Sequence, residues 1–346
     1  MIKKAIAQLS QGKDLTEQEM SGVMTLIMQG HATPAQIAAL LMGLKLKGET
    51  IAEISGAAKV MRSHAEPVVC RKSTEDDPLV DVVGTGGDTS SSFNVSTTTA
   101  FVLAGAGLRV AKHGNRAVSG KCGSADLLEA LGVRLGITAQ ELAACVDEVG
   151  IGFLYAPPLH PALGHAMPTR REMGVRTIFN LLGPLTNPAR ARVFLIGVYE
   201  KDLILPLARV IGRLGAKKAY VVYGQGGYDE VTLTGPTYMA FFDGQEVKQE
   251  IIEPNDLGLK PASPESITCQ NPRQSKETTL LVLNGEPGPA RDMVLMNAAV
   301  ALKAAGKARD FKQGLEIARQ AIDQGKALLK LHELVRVSNQ RRLKAV

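Results

Sequence analysis

The chain predicts an α/β protein in which a small all-helical domain precedes a large α/β domain, whose mostly parallel central sheet is flanked by helices. Three observations carry that prediction. Residues 1 to about 70 hold three capping boxes, short aliphatic runs then alternate with helical stretches, and a glycine cluster directly follows the first of those runs.

The helical signals are Thr16 with Glu19, Thr33 with Gln36 (Pro34 standing between them at the first helical position), and Thr50 with Glu53. In each, a threonine precedes by three positions a Glu or Gln that can reach back to its main chain. Ile37, Leu40, Leu41 and Leu44 recur at helical spacing, and Leu26, Ile27 and Met28 widen the apolar surface of the preceding helix. Such a surface is either core or a dimer interface, and periodicity does not separate the two. The charged segment Arg71–Pro78 marks a boundary. Beyond it, Leu79–Val83, Leu108–Ala111, Val193–Tyr199 and Ala219–Tyr223 read as strands of a largely parallel sheet, with ligand-binding loops expected at their carboxyl ends. Val231–Leu233, Tyr238–Phe242 and Glu246–Ile252 read as short strands, and helices are expected from Ala290 onward.

With 346 residues, 45% of them hydrophobic, the chain can bury a sizeable core. Its 40 Lys and Arg against 34 Asp and Glu leave a net charge of +6, which admits phosphorylated metabolites as readily as nucleic acid. Aromatic residues make up only 4% and no basic stripe is interleaved with them, which weighs against single-stranded nucleic acid as a partner. Cys70, Cys122, Cys145 and Cys269 form no CxxC pair, so reduced thiols in the cytoplasm are expected rather than a disulfide framework. Met1–Ala5 shows no secretory pattern and no window reaches membrane-spanning length, which agrees with a cytoplasmic location.

The chemistry concentrates in Gly84-Thr85-Gly86-Gly87-Asp88, Asn94-Val95-Ser96-Thr97 and Lys112-His113-Gly114-Asn115-Arg116. Glycines after a strand let main-chain N–H groups approach a phosphate with no Cβ in the way. Ser96 and Thr97 open an apolar helix whose start offers N–H groups and a positive dipole end, and Lys112 adds a formal charge. Asp88 suits a hydroxyl or a metal ion better than a bare anion. Alone, the glycine turn is also an ordinary strand-to-helix connection. Three such elements within about thirty residues point to a substrate carrying phosphate or pyrophosphate.

These motifs, with Gly123-Ser124-Ala125-Asp126, the run Gly174–Pro188 and Asp229-Glu230, resemble the anthranilate phosphoribosyltransferase family over nearly the whole chain. That family shares its fold with the pyrimidine nucleoside phosphorylases. The resemblance implies transfer of the phosphoribosyl group of phosphoribosyl pyrophosphate (PRPP) to the amine of anthranilate, in tryptophan biosynthesis. It implies Mg²⁺, two ions with the donor, held by Asp229, Glu230 and Ser96. Gly84, Gly86, Gly87, Asp88, Asn94, Ser96, Thr97 and Lys112 would then meet the donor, with Lys112, Asp229 and Glu230 the catalytic residues. Asn115 and Arg170 would meet anthranilate, Arg170 through its carboxylate, and His160 would line the same site. Arg176 is expected to be structural. The resemblance also implies a homodimer through the N-terminal helices. It sets the small domain at 1–72 with about 161–188 packing onto it, and the large domain at 76–160 and 189–346.

The chain departs from that pattern at Gly120 and Cys122, where relatives usually carry serine, and at Tyr228, which is often leucine. Cys122 reads as a serine-sized substitute, since no resolving thiol stands near it in sequence. A pyrimidine nucleoside phosphorylase is the alternative enzyme, and a non-catalytic nucleic-acid-binding relative the alternative from another class. Lys112–Asn115 and the paired Asp229-Glu230 favour the transferase, because a metal-holding pair suits pyrophosphate rather than free phosphate.

Overall fold

A computed structural model describes residues 1–86, 92–116 and 122–340. The chain opens with α1 (Ile2–Leu9), α2 (Glu17–Met28), α3 (Pro34–Lys47) and α4 (Ile51–Ser63). All three predicted capping boxes form, at the starts of α2, α3 and α4. The third does more than cap. Glu53 is fully buried, accepts from Thr50 N at 2.8 Å and Leu15 N at 2.9 Å, and pairs with Lys47 at 3.0 Å. Of the two uses left open for the apolar surface of α2, Ile27 and Met28 serve the core; only Leu26 of that trio is partly exposed.

The larger part runs β1 (Val80–Gly84), α5 (Val95–Gly105), β2 (Val110–Gly114), α6 (Ser124–Ala130), α7 (Ala139–Val149), β3 (Ile151–Tyr155), α8 (Ala156–Leu159), α9 (Met167–Met173) and α10 (Ile178–Leu182). It continues with β4 (Val193–Gly197), α11 (Ile204–Arg213), β5 (Lys218–Gly224), β6 (Thr237–Phe242) and β7 (Val247–Ile252). Four helices close it: α12 (Pro272–Leu283), α13 (Pro289–Ala304), α14 (Phe311–Asp323) and α15 (Lys326–Gln340). The strands form one sheet in the order β3-β2-β1-β4-β5-β6-β7, parallel through β5 and antiparallel at β6 and β7. From β1 the chain builds outward through β2 and β3, then returns to place β4 on the other side of β1. Between those halves, the turn Pro161–His165 lies against α2, α9 against α3, and α10 against α3 and α4.

Three differences from the sequence reading have identifiable causes. The second strand begins at Val110 rather than Leu108, because Leu108 N still donates to Leu103 O at the end of α5. The shift carries Lys112 and His113 into the strand. Val231–Leu233 is not a strand: Asn297 brackets Val231 at both N–H and carbonyl, and Thr232 N donates to Thr237 Oγ1. Strand β3 and helix α12 were not expected; β3 follows Gly150 with no spacer, and α12 begins with a polar stretch that masks its buried face.

Candidate active site

The crevice between β1 and β4, where the winding direction reverses, is where open α/β sheets bind ligands. The last residues of the two strands, Gly84 and Gly197, are register partners. Asp229 sits over both: a Cβ on Gly84 would lie 2.2 Å from Asp229 Oδ2, and one on Gly197 only 1.4 Å from the Asp229 carbonyl oxygen. The two glycines therefore make the seat that Asp229 fills. A tight turn delivers it. Gly224 N donates to Tyr228 O at 2.9 Å, and Gly226 and Gly227 adopt φ of 92° and 90°, a region side chains disfavour. This turn, not a regular strand, aims the consecutive Asp229 and Glu230 into one place.

Asp229 Oδ2 accepts from Gly86 N at 2.9 Å, and Glu230 Oε1 accepts from Ser96 N at 3.2 Å near the start of α5. Lys112, nearly fully buried, donates from Nζ to Val82 O at 2.6 Å and to Ser96 Oγ at 3.2 Å. Burial pushes its ammonium down from the ordinary lysine value, while Asp81, Glu230 and Asp229 pull it back up. Gly84 and Gly86 thus meet Asp229, and Ser96 links the adjacent Glu230 to Lys112, which brings the six residues to one end of the sheet. Thr97 is buried and lines a small internal cavity with Phe101, Lys112 and Phe153. What it can present to an anion at the helix start is its main-chain N–H. Gly87 and Asp88 lie outside the described residues.

Behind Lys112, a second polar group escaped the sequence reading. Asp81 is fully buried, accepting from His113 N at 3.0 Å and from Asn187 Nδ2 at 2.7 Å; the same Asn187 amide donates to Ala111 O at 2.8 Å. Burial pushes the Asp81 carboxyl up to about 6, against the opposing pull of Lys112. His113 Nδ1 lies 3.1 Å from Gly183 O, which can only accept, so Nδ1 carries the proton and Nε2 accepts from His160 Nε2 at 3.2 Å. Burial lowers His113 to about 3 and His160 to about 4, so both imidazoles stay neutral near pH 7. A carboxylate inside an aliphatic run was the available signal for Asp81. Asn187 had no signal beyond its place in the run Gly174–Pro188.

Asn115 is exposed at the end of β2, where its carbonyl accepts from Ala125 N and Ser124 Oγ, both at 3.2 Å. Arg170 is half-buried on α9 with its guanidinium 4.8 Å from the Phe179 ring centroid, whereas Arg171 is exposed. Desolvation depresses the Arg170 pKa. Arg176 lies 4.4 Å over the Tyr199 ring. The Cys122 thiol donates to Asn94 Oδ1 at 3.2 Å, and burial raises its pKa to about 11, so it behaves as a hydroxyl-like donor. All four cysteines are free.

Residues 76–328 match the family described as "Glycosyl transferase family, a/b domain", and residues 3–65 its "helical bundle domain". Among curated relatives, the anthranilate phosphoribosyltransferase of Symbiobacterium thermophilum is 52% identical over 332 residues, covering 94% of each chain. The chain belongs to the anthranilate phosphoribosyltransferase family. Within that family, the crystal structure of the Thermus thermophilus protein superposes with a TM-score of 0.90 at 40% identity, covering 96% of this chain and 99% of that one. The anthranilate phosphoribosyltransferase of Saccharomyces cerevisiae, in complex with PRPP and Mg, gives 0.89 at 26% identity, covering 98% of each chain.

Proposed function

We infer that this chain transfers the phosphoribosyl group of PRPP to the amine of anthranilate, releasing pyrophosphate and forming N-(5-phosphoribosyl)anthranilate in tryptophan biosynthesis. The observation that carries the reading is the convergence of Asp229, Glu230, Ser96 and Lys112 at the sheet's switch point. Two carboxylates and a hydroxyl are the hard oxygen donors that suit Mg²⁺, which takes its remaining ligands from substrate phosphates and water. The glycine seat under Asp229 supports the fit, since it holds one carboxylate at a fixed height above the strand ends. Among the described residues no cluster of three or more His, Cys, Asp or Glu suits a closed metal site, which agrees with an ion, or two, shared with the donor. Bound there, Mg²⁺ would neutralise charge building on the pyrophosphate as it leaves.

The chain's own residues divide the remaining work. The Gly84–Gly87 loop, Ser96 and Thr97 meet the donor, with Asn94 and Asp88 beside them. Gly86 N and Ser96 N, which donate to Asp229 and Glu230, would exchange those carboxylates for donor oxygens as the metal takes the carboxylates, and Lys112 supplies positive charge from a desolvated position. Arg170, stacked on Phe179, offers a planar guanidinium to the anthranilate carboxylate, while Asn115 and His160 line that side. The aniline nitrogen is unprotonated at neutral pH and attacks the anomeric carbon as the C–O bond to pyrophosphate breaks. Its surplus proton leaves late, to solvent, so no general base is assigned.

The same reading divides the chain into a helical domain, 1–72 with about 161–188 packed on it, and a phosphoribosyl-binding domain of 76–160 and 189–346. It makes the protein a cytoplasmic homodimer through the N-terminal helices. Leu46 on α3, 80% exposed, is a residue at which such an interface can be tested, and no helix among the described residues is long and apolar enough to cross a membrane. The reported relatives lend the phosphorylase and nucleic-acid readings no support. The deciding experiment follows anthranilate fluorescence on mixing protein, PRPP and Mg²⁺. Loss of fluorescence with stoichiometric pyrophosphate release, abolished by chelation, is expected. A folded protein that binds PRPP and consumes no anthranilate would overturn the acceptor assignment.

A further inference from the structure

Asn94, the residue just before α5, is fixed by a partner far away in sequence. Ser275 of α12, fully buried, donates from Oγ to Asn94 Oδ1 at 2.7 Å and accepts the Asn94 main-chain N–H at 3.2 Å. A serine hydroxyl has one proton, and the main-chain N–H can only donate to it. The Cys122 carbonyl can only accept, so the carboxamide end that faces it is Nδ2, and the end left facing Ser275 is Oδ1, which takes the hydroxyl proton. The Cys122 thiol donates to the same Oδ1, and Asn94 Nδ2 donates to Cys122 O at 3.3 Å. The amide plane is thereby set, two residues before Ser96.

We propose that Ser275 is a positioning residue for the pyrophosphate donor, acting by orienting the Asn94 carboxamide at the start of α5. The proposal rests on the assignment of Asn94 to the donor. Packing alone does not account for the geometry, because one turn along α12 the equally buried Thr279 bonds Thr98 Oγ1 at 3.1 Å. That pair joins the same two helices and meets Asn94 only at its main-chain carbonyl, to which Thr98 Oγ1 donates at 3.0 Å, not at its carboxamide, and so provides an internal control for the carboxamide's orientation.

The test measures kcat, both KM values and Tm for Asn94→Ala, Ser275→Ala, Ser275→Cys, Thr279→Val and the Asn94→Ala/Ser275→Ala double variant. One lost hydrogen bond corresponds to a rise in PRPP KM of about three- to tenfold in Ser275→Ala, with the anthranilate KM within about twofold of wild type. Ser275→Cys, a weaker donor, should fall between wild type and Ser275→Ala. The double variant should be no worse than Asn94→Ala, because the two residues act as one unit. Thr279→Val should lower Tm and leave the PRPP KM unchanged. A normal PRPP KM in Ser275→Ala, with a raised one in Asn94→Ala, overturns the proposal while sparing the site assignment. A normal value in both removes Asn94 from the donor site and the proposal with it. If Ser275→Ala does not fold, Ser275→Cys decides: a raised PRPP KM upholds the role, and a wild-type value ends it.

Discussion

Arg170 and Asp81 show how differently single residues announce themselves. Arg170 was chosen from its place in the Met167–Gly174 segment, and its half-buried position over Phe179 distinguishes it from the exposed Arg171. A charge-assisted hydrogen bond to carboxylate contributes about 1.5–3 kcal/mol, so Arg170→Ala should raise the anthranilate KM roughly ten- to a hundredfold with kcat little changed. Steady-state kinetics at saturating PRPP checks this, and an unaltered KM removes Arg170 from the acceptor site. Asp81 was hidden, because one acid in Leu79–Val83 does not break the strand pattern and its partner Asn187 lies 106 positions away. Its carboxyl is raised to about 6 in the folded chain, above the unfolded value, so its stabilising term is present below about pH 4 and lost as pH rises through 6. The stability difference between wild type and Asp81→Asn should therefore shift against wild type by up to about 3 kcal/mol from pH 4 to pH 7. Denaturant titrations across that range measure it. A pH-independent difference contradicts the raised carboxyl.

At the level of elements, the capping boxes and most strands were readable because each is set by neighbours in sequence. Where a side chain from afar intervenes, reading failed: Asn297, 66 positions on, takes both main-chain groups of Val231, and the nearby Thr237 takes Thr232 N, so Val231–Leu233 is no strand. The pairing of Gly84 with Gly197 was likewise invisible, since Gly197 gains meaning only when β4 lies beside β1. A methyl group there overlaps the Asp229 carbonyl, so the turn that carries Asp229 must move. Displacements of about 1 Å cost on the order of a hundredfold in rate, and Gly197→Ala should lose at least that much Mg²⁺-dependent turnover while remaining folded by circular dichroism. Near-normal turnover would mean that the seat does not fix the carboxylate.

Across the whole molecule, the alternation of strands and helices revealed a largely parallel sheet, but not the order that puts the switch point between β1 and β4. That order depends on contacts between residues far apart, which periodicity does not encode. The segment from Pro161 to Leu182 lies against α2, α3 and α4, contacts that only the resemblance anticipated. The exposed Leu46 leads to the expectation that sedimentation equilibrium finds a dimer and that Leu46→Asp weakens it; a monomeric wild type at micromolar concentration counts against the interface.

The bonds that complete the cleft also set a timetable for synthesis. Gly86 waits for a carboxylate 143 residues further on, Ser96 for one 134 residues on, and Asn94 for a hydroxyl 181 residues on. A nascent chain can pair α1 with α3 and α2 with α4 early, but the elements that cover α2, α3 and α4 emerge only with Pro161 to Leu182 and α11. The turn at Gly84–Gly86 emerges soon after α4 but has no carboxylate to face until β5 and the turn beyond it have emerged. The contacts of Gly86 and Ser96 with these carboxylates therefore form only after the turn beyond β5 has emerged, and that of Asn94 with Ser275 later still.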